Sequence, residues 1–389
     1  MQLMAALRVA VVADLLEERW PSMDLMAEML MAHAGTNGSV VSANLLRPTF
    51  RTRTPGLLRG GAAGTPPTFE RIAQRFWSYP RWIRQQPSAD VYHIVDHSYA
   101  HLSHDLPAER VVVTCHDTDA FRTLISPAER ESTLPHWLVR RVLSGLRAAG
   151  AVVCVSEVTR RELVGRDLVR MDRTRVVPIG VHPACSPATD HTADRSAATL
   201  TGDTGATDLL HVGSTIPRKR IDVLLETVAR LAHTRPDVRL WRVGGAFTSA
   251  QATLARDLGI EHRITVMPFV SRPVLAALYR RAALVLLPSD REGFGLPVIE
   301  AMACGTPIVC SDLPVLREVG GTAAAYCAPG DPTAWAHRVA TLLDERDSRA
   351  DAWAARRSAG VAHSAAFSWK HYASAMESVY QEIAGVAVR

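Results

Sequence analysis

The chain has 389 residues, too many for one ordinary hydrophobic core, and this length predicts two domains of roughly 190 residues each. Hydrophobic residues make up 47% of the chain and charged residues 21%, which is typical of a globular protein. The net charge of +5 is too small at this length to indicate nucleic-acid binding. It suits a phosphate-bearing small ligand or an anionic membrane surface.

Cysteine usage and apolar runs indicate the compartment. The six cysteines are scattered without a C-x-x-C pair, so we predict neither a zinc site nor a disulfide framework, and a reducing cytoplasm is expected. The N-terminal apolar stretch has no basic segment before it and is interrupted by Arg8, which favours a first strand over a signal peptide. No apolar run reaches 18 residues, so the sequence predicts no membrane span.

In the first half of the chain, short apolar runs alternate with amphipathic segments, a pattern that predicts βαβ units on a parallel sheet. The predicted strands are Leu7–Ala13, Val91–Val95, Val111–Cys115, Ala151–Ser156 and Arg175–Ile179. The predicted helices are Pro21–His33, Leu134–Ala148 and Glu157–Val164. Residues 186–207 then contain one leucine and no isoleucine, valine or aromatic residue, which predicts a linker or surface loop.

The second half repeats the alternation more regularly. The predicted strands are Asp208–Gly213, Val238–Gly244, Arg263–Pro268, Ala283–Pro288, Pro307–Ser311 and Ala323–Cys327. Helical spacing predicts helices at Ile221–His233 and, at the end, Ser368–Ile383. We therefore predict an N-terminal domain over 1–185, a second domain over 208–367 and a final segment over 368–389. Ligands of such α/β domains bind outside the carboxyl ends of the strands.

The most informative segment is PSDREGFGLPVIEAMACGTPIVCS, residues 288–311. Pro297 stands where a helix would begin, a position at which proline costs no hydrogen bond, and Gly305 suits the end of that helix. The N–H groups at the start of such a helix suit a phosphate. Glu292 and Glu300 flank this point, because helical side chains lean toward the N-terminus. Two carboxylates would repel a simple anion, whereas a sugar nucleotide also has diols whose hydroxyls can donate hydrogen bonds to them.

Seven residues separate Glu292 from Glu300, and this E-x7-E spacing resembles the signature of retaining glycosyltransferases with the GT-B fold, specifically family 4. The likeness is close over EGFGLPVIEAMACGTPIVCSDLPVLREVGG. It implies two Rossmann-like α/β domains facing across a cleft, with the C-terminal helix crossing back to the first. It also implies that Glu292 holds hydroxyls of the donor hexose and Glu300 those of the ribose. Backbone that lines the donor is implied at Gly293, Phe294, Gly295 and Leu296.

The segment HVGSTIPRKRIDVLLE, residues 211–226, resembles a second part of the family pattern. The family usually has an arginine directly after the glycine equivalent to Gly213, and here that position is Ser214. Lys219 matches the family lysine, and Arg218 beside it resembles the arginine–lysine pair of a subset. The resemblance implies that both cations face the donor pyrophosphate and stabilise the charge that grows on it as the bond to the sugar breaks. A solvated basic turn before the next helix is the alternative.

The first half offers less. In VVVTCHDTDAF, His116 resembles the histidine that contacts the donor sugar in the family, and a histidine held by local backbone is the alternative. Asp117-Thr118-Asp119 spells D-x-D, a metal motif of a different glycosyltransferase fold, which we interpret as coincidence. The glycine-rich loop of the family is replaced after the first strand by RWPS, residues 19–22. Residues 71–84, RIAQRFWSYPRWIR, predict either a helix that packs its aromatic side chains or a segment at a membrane interface.

Together with these patterns, the family resemblance implies an enzyme that needs neither cofactor nor metal. It would transfer a hexose, with retention, from a nucleotide diphosphate sugar (a UDP- or GDP-hexose) to a saccharide or lipid-linked acceptor, in polysaccharide or glycoconjugate assembly. We expect it in the cytoplasm, at most peripheral at the inner face of the membrane, without nucleic acid. The alternatives are a sugar-nucleotide epimerase, a phosphorylase or a non-catalytic nucleotide-sugar binder. An NAD-binding domain is disfavoured because the cluster Gly60-Gly61-Ala62-Ala63-Gly64 lacks a flanking strand and helix.

Overall fold

The structure is a computed structural model that describes residues 6–18, 20–35, 41–50, 68–125, 134–202 and 205–386. Arg19 and the glycine cluster at 60–64 lie outside the described residues. Contacts divide the chain into two compact units, Met1–Ile179 with Trp369–Arg389, and Gly180–Ser368. The first unit thus ends at Ile179, slightly before the predicted position 185.

Within the described residues, every strand belongs to one of two parallel sheets. The strands are β1 (Leu7–Val12), β2 (Val41–Leu46), β3 (Val91–Ile94), β4 (Val111–Cys115), β5 (Ala151–Cys154), β6 (Thr174–Val176), β7 (Thr207–Val212), β8 (Val238–Val243), β9 (Ile264–Met267), β10 (Leu284–Leu287), β11 (Ile308–Ser311) and β12 (Ala325–Cys327). The first sheet has the order β2-β1-β3-β4-β5-β6 and the second the order β12-β11-β10-β7-β8-β9. Two doubly wound α/β domains were predicted, and these sheets confirm them.

The helices alternate with the strands along the chain. They are α1 (Pro21–His33), α2 (Thr68–Ala73), α3 (Tyr79–Ile83), α4 (Arg122–Ile125), α5 (His136–Ala148), α6 (Glu157–Gly165), α7 (His191–Thr201), α8 (Ile221–Thr234), α9 (Ser249–Asp257), α10 (Arg272–Arg281), α11 (Leu296–Ala303), α12 (Pro314–Gly320), α13 (Pro332–Ser348), α14 (Ala350–Ser364) and α15 (Trp369–Ile383). A π-helical turn, Gln74–Ser78, joins α2 to α3. No helix in the described part of the chain is both long and apolar enough to cross a bilayer.

The order of the second sheet determines where a ligand should bind. The chain builds outward from β7 to β9 in one direction and from β10 to β12 in the other, so the order reverses between β7 and β10. These two central strands pair directly, Leu284 with Leu209 and Val285 with Leu210. In open α/β sheets, ligands bind beyond the carboxyl ends of the strands at such a switch point. The loops that follow β7 and β10 are therefore the first place to look for a site.

The C-terminal helix α15 belongs to the first unit, as the resemblance implies. His93 of β3 bridges it to the sheet, with ring nitrogens 2.7 Å from the Tyr380 hydroxyl and 2.7 Å from the Thr114 hydroxyl. Burial lowers the pKa of His93 to about 3, so the imidazole is neutral at physiological pH. Arg175 and Glu382 add an ion pair at the end of the helix. The residues in each of these contacts are far apart in sequence, so the contacts hold α15 against the first sheet.

The predicted linker over 186–207 is wrong for most of its described part, because α7 forms there. Asp190 caps the helix by accepting hydrogen bonds from Thr192 N (3.1 Å) and Ala193 N (3.0 Å). Ala193 and Ala197 are buried on one face, and Arg280 of α10 pairs with Asp194 at 2.7 Å. Alanine is the best helix former and lets two helices approach closely, so a segment without large apolar residues still packs.

Candidate functional site

Two loops of the second unit meet at the switch point. After β7 the chain passes Gly213 and Ser214 and enters a 3₁₀ turn, Pro217–Lys219, before α8 begins. After β10 it forms the loop that leads into α11. The backbone N–H of Asp290 donates to the carbonyl of Arg218 at 2.8 Å, which holds the loops together. Both segments that the sequence singled out in this unit therefore lie at one place.

The centre of the site is a carboxylate between two cations. Lys219 Nζ donates to Glu292 Oε1 at 2.6 Å, and Arg218 Nη1 lies 3.3 Å from Glu292 Oε2. Ser289 Oγ also donates to Glu292 Oε1, at 2.7 Å. Arg218 is further fixed by the carbonyl of Arg291 at 3.0 Å. We predict four catalytic residues, Lys219, Arg218, Glu292 and His116, and the structure brings the first three together.

The electrostatics of this cluster depend on how Lys219 and Arg218 act on the buried Glu292 carboxylate. Only 7% of the Glu292 side chain is exposed, and its burial would raise the pKa, but the charges of Lys219 and Arg218 outweigh burial and hold the pKa below its ordinary value. Glu292 is therefore ionised at neutral pH. Lys219 and Arg218 then both face its carboxylate. The neighbouring cation Arg220 pairs instead with Asp222 and Asp290, so it does not share Glu292.

The start of α11 requires its glycine. Gly295, the residue before the helix, has φ +92°, and a Cβ there would lie 2.5 Å from the Leu316 side chain. Only glycine accommodates both the left-handed backbone and this close approach. Pro297 occupies the first turn, as predicted, and the N–H groups of that turn carry the partial positive charge of the helix. Phe294 is buried against Phe367, with ring centroids 5.9 Å apart, so the loop is firmly packed.

Glu300 has a different partner from Glu292. Its carboxylate is buried and accepts a hydrogen bond from the Tyr279 hydroxyl at 2.9 Å. Burial raises the pKa of Glu300, and the Tyr279 hydrogen bond and the charge of Arg272 offset this only partly. Tyr279 is a residue that the sequence reasoning missed. Its only sequence signal is its position near the end of α10, one strand before the site.

The sequence reasoning also missed a buried arginine that binds the backbone of Gly213 and Gly245. Arg242, at the end of β8, is fully buried and donates from Nη2 to the carbonyl of Gly213 at 2.7 Å, and from Nη1 to the carbonyl of Gly245. Gly244 has φ +128°, and a Cβ there would lie only 1.9 Å from the Gly213 oxygen. Burial lowers the pKa of Arg242 to about 10. Arg242 thus fixes the backbone directly before Ser214, where the family usually has its arginine.

The first unit has a polar cluster at the carboxyl ends of β3 and β4. His116 Nε2 lies 2.8 Å from the carbonyl of Val95, and its backbone N–H donates to His97 Nδ1 at 3.3 Å. Because a carbonyl only accepts, the His116 proton is on Nε2 and Nδ1 is an acceptor. Burial lowers the pKa of His116, which keeps the ring neutral. Asp96 and His97 were not predicted, although they directly follow the apolar run of β3.

The D-x-D sequence forms a local turn. Asp117 Oδ1 accepts from the backbone N–H of Asp119 at 3.0 Å, and Asp119 pairs with Arg122 at 2.9 Å. Thr118 donates to Glu162 at 2.8 Å. Within the described ranges, no group of three or more His, Cys, Asp or Glu side chains is placed to hold a metal ion.

Two family profiles match the chain in succession. The family described as Glycosyltransferase Family 4 matches residues 33–184, and Glycosyl transferases group 1 matches residues 195–358. A D-inositol 3-phosphate glycosyltransferase from Mycobacterium sp. (strain KMS) is 33% identical over 331 residues, which cover 81% of this chain and 67% of that protein.

Solved structures agree in fold. Sucrose-phosphate synthase from Thermosynechococcus elongatus matches with a TM-score of 0.74 at 20% identity, over 97% of this chain and 99% of that one. Anabaena Alr3699/HepE, solved in complex with UDP and glucose, matches with a TM-score of 0.70 at 15% identity, over 97% of this chain and 100% of that one. The chain is a glycosyltransferase of the GT-B fold and belongs to family 4, glycosyl transferases group 1.

Proposed function

We propose that the enzyme transfers a hexose from a nucleoside diphosphate sugar to an acceptor hydroxyl, with retention of anomeric configuration and without a metal ion. The observation that carries this proposal is the cluster of Lys219, Arg218 and Glu292 at the switch point between β7 and β10. It combines cations for a diphosphate with a carboxylate for sugar hydroxyls. The fixed cations supply the positive charge that a metal ion would otherwise supply.

The side chains of this cluster can exchange partners when the donor binds. In the structure, Lys219 and Arg218 neutralise Glu292, which keeps an ionised carboxylate stable in a buried place. A bound diphosphate would draw the two cations toward itself, and the sugar hydroxyls would replace them on Glu292. Each buried charge would then keep a hydrogen-bonding partner throughout, which lowers the cost of burying it.

We propose that the ribose of the donor nucleotide binds at the Glu300 carboxylate. This carboxylate can accept hydroxyl hydrogen bonds from a ribose diol, and Tyr279 orients it. The structural neighbour Alr3699/HepE was crystallised with UDP and glucose, which supports UDP-glucose as the first donor to test. A GDP-hexose is the second.

In the reaction we propose, the bond between the anomeric carbon and the diphosphate oxygen breaks as the acceptor oxygen bonds to the same face of that carbon. The acceptor proton passes to the departing diphosphate. Negative charge grows on the diphosphate during this step, and Lys219 and Arg218 are placed to stabilise it more in the transition state than in the ground state. The role that the resemblance implies for His116 stays a prediction.

The acceptor is proposed to be a saccharide or lipid-linked hydroxyl compound in polysaccharide or glycoconjugate assembly. The matched relative is a D-inositol 3-phosphate glycosyltransferase, so this phosphorylated polyol belongs in the same acceptor panel.

The test is a nucleoside diphosphate release assay with UDP-glucose, GDP-mannose and the acceptor panel, with and without EDTA. We expect acceptor-dependent release that EDTA leaves intact, and a product that keeps the anomeric configuration of the donor by NMR. An epimerase would interconvert the sugars without releasing diphosphate, and a phosphorylase would require orthophosphate. A non-catalytic binder would raise the Tm with donor yet give no product. Loss of activity in EDTA with rescue by Mn²⁺ would contradict the metal-free part.

Replacing Glu300 by glutamine should weaken donor binding by roughly 1.5–3 kcal/mol, because a charged hydrogen-bond acceptor is lost in a buried place. Calorimetric titration with the donor measures this change. Glu318→Gln, an exposed change on α12, is the matched control and should bind donor like the wild type. Equal affinities for all three proteins would remove Glu300 from the donor site.

A further inference from the structure

The first unit exposes aromatic side chains beside arginines. Trp77 of the π-helical turn is 43% exposed and Trp137 of α5 is 56% exposed, although tryptophan is usually buried for most of its surface. Their rings contact edge to face, with centroids 6.1 Å apart. Arginines surround the pair. We call this surface the aromatic–arginine face, and it comprises Trp77, Arg81, Arg84, Trp137 and Arg141.

The face is built by two helical segments. Trp77, Arg81 and Arg84 follow one another at spacings of four and three along the π-helical turn, α3 and its C-terminal cap, and Trp137 and Arg141 are four apart on α5. Residues four apart share one side of a helix. Between the two segments runs an open groove of about 300 Å³, whose floor includes Phe76, Pro80 and Leu138. The inward side of the same stretch is buried through Tyr79 and Ile83, so the fold holds the face rigidly.

The charge of the face is positive. Among the residues that line the groove there are three arginines and no carboxylate. The nearest acid is Asp105, which accepts from Arg84 Nε at 2.8 Å and lies 4.0 Å from Arg141, and its side chain is almost wholly buried. Arg81 donates to the Trp77 carbonyl at 3.0 Å, a contact that leaves its charge in place. Solvent therefore meets two indole rings and an excess of guanidinium groups.

This combination fits one kind of partner. Tryptophan concentrates at membrane–water interfaces, where its ring enters the acyl boundary and its N–H stays among headgroups. Arginines beside it attract anionic lipids. The π-helical turn that presents Trp77 is rare in proteins and is frequently found at functional sites. A complementary protein surface would need acidic residues opposite each arginine, whereas an anionic lipid surface supplies negative charge everywhere.

We propose that the aromatic–arginine face docks the enzyme on an anionic lipid bilayer, with Trp77 and Trp137 inserted at the headgroup boundary. Binding to the bilayer does not require donor or acceptor, so the proposal goes beyond the sugar transfer and stands independently of it.

The experiment is sedimentation of the full-length protein with vesicles of phosphatidylcholine alone, or of phosphatidylcholine with phosphatidylglycerol. We expect partitioning into the anionic vesicles that falls as salt is added. The variant Trp137→Ala/Arg81→Gln should lower the partition coefficient about tenfold or more, because each arginine near such a surface contributes about fivefold. It keeps both partners of Asp105, and circular dichroism checks its folding.

The matched control is Arg170→Gln/Met171→Ala, which also removes one exposed arginine and one exposed apolar side chain of the first unit. It should bind vesicles like the wild type. Absence of wild-type binding to anionic vesicles, or equal binding of the folded Trp137→Ala/Arg81→Gln variant, would overturn the proposal. So would a dimer in size-exclusion chromatography that this variant dissociates while vesicle binding stays unchanged. Diphosphate release by soluble enzyme is measured separately, so neither proposal can fail on account of the other.

Discussion

Replacing Lys219 by alanine should lower kcat by about 10²–10³-fold, the usual effect of removing one fixed donor that stabilises transition-state charge. Lys219 is buried, and its ammonium group contacts the same carboxylate, that of Glu292, as Arg218 does. The loss should appear in kcat more than in KM, because the charge on the leaving diphosphate is larger in the transition state than in the bound donor. Steady-state diphosphate release with saturating donor measures it.

The same substitution also alters the ionisation of Glu292. This indirect effect must be distinguished from the direct effect of Lys219 on the diphosphate. Without Lys219, only Arg218 and the Ser289 hydrogen bond still oppose burial among the main causes, so the pKa of Glu292 should rise. A double-mutant cycle with Glu292→Gln makes the distinction. If Lys219 acts on the diphosphate, Lys219→Ala still lowers kcat strongly in the Glu292→Gln background. If Lys219 serves only to keep Glu292 ionised, its removal has no further effect there.

The chain offers a clear control, because its only other lysine is Lys370, exposed on α15. Lys370→Ala removes the same charge and should leave kcat unchanged. A Lys219→Ala enzyme that also turned over at the wild-type rate would exclude Lys219 from the chemical step.

The sequence predicted the parts of the fold that local pattern determines. β4 has the predicted bounds because five consecutive apolar or β-branched residues are all buried in a parallel strand. α1 begins at a proline and also has its predicted bounds. In the site, Gly295 and Pro297 mark the loop and helix start by requirements of the backbone itself. Such signals need no knowledge of distant contacts.

The features that were missed depend on tertiary contacts. α7 contains few large apolar residues, and its alanines become informative only when α10 packs against them. β2 has exposed residues in the middle of its six positions, so its sequence lacks a continuous apolar run. The sequence also placed Glu292 and Glu300 near one anion site, but it did not reveal that Lys219 and Tyr279 hold them separately. Hydrogen-bond partners from other segments cannot be read from spacing.

Arg242 shows how a residue of the site can be hidden by composition. It follows Val238 and Leu240 on one face of β8, and all three are fully buried. A cation on such a face is unusual, but arginine is so abundant in this chain that its counts carried little weight. Burial of the guanidinium disfavours its charged form, as the lowered pKa of about 10 indicates. A guanidinium group that is buried at such a cost in free energy is expected to stabilise the loop whose carbonyls it binds.

We therefore expect Arg242→Met to impair catalysis more than stability. Methionine fills much of the space and removes a charge that is costly to bury, which offsets the roughly 1–3 kcal/mol lost for each carbonyl left without its donor. The carbonyls of Gly213 and Gly245 lose their donor, however, and a shift of about 1 Å in a substrate-positioning loop can cost about 10²-fold in rate. Donor kinetics and thermal unfolding of the same protein measure both effects. Arg239→Met, on the same strand but paired with Asp208, should leave donor kinetics unchanged. A lower Tm with normal kcat/KM for Arg242→Met would instead make Arg242 a structural residue only.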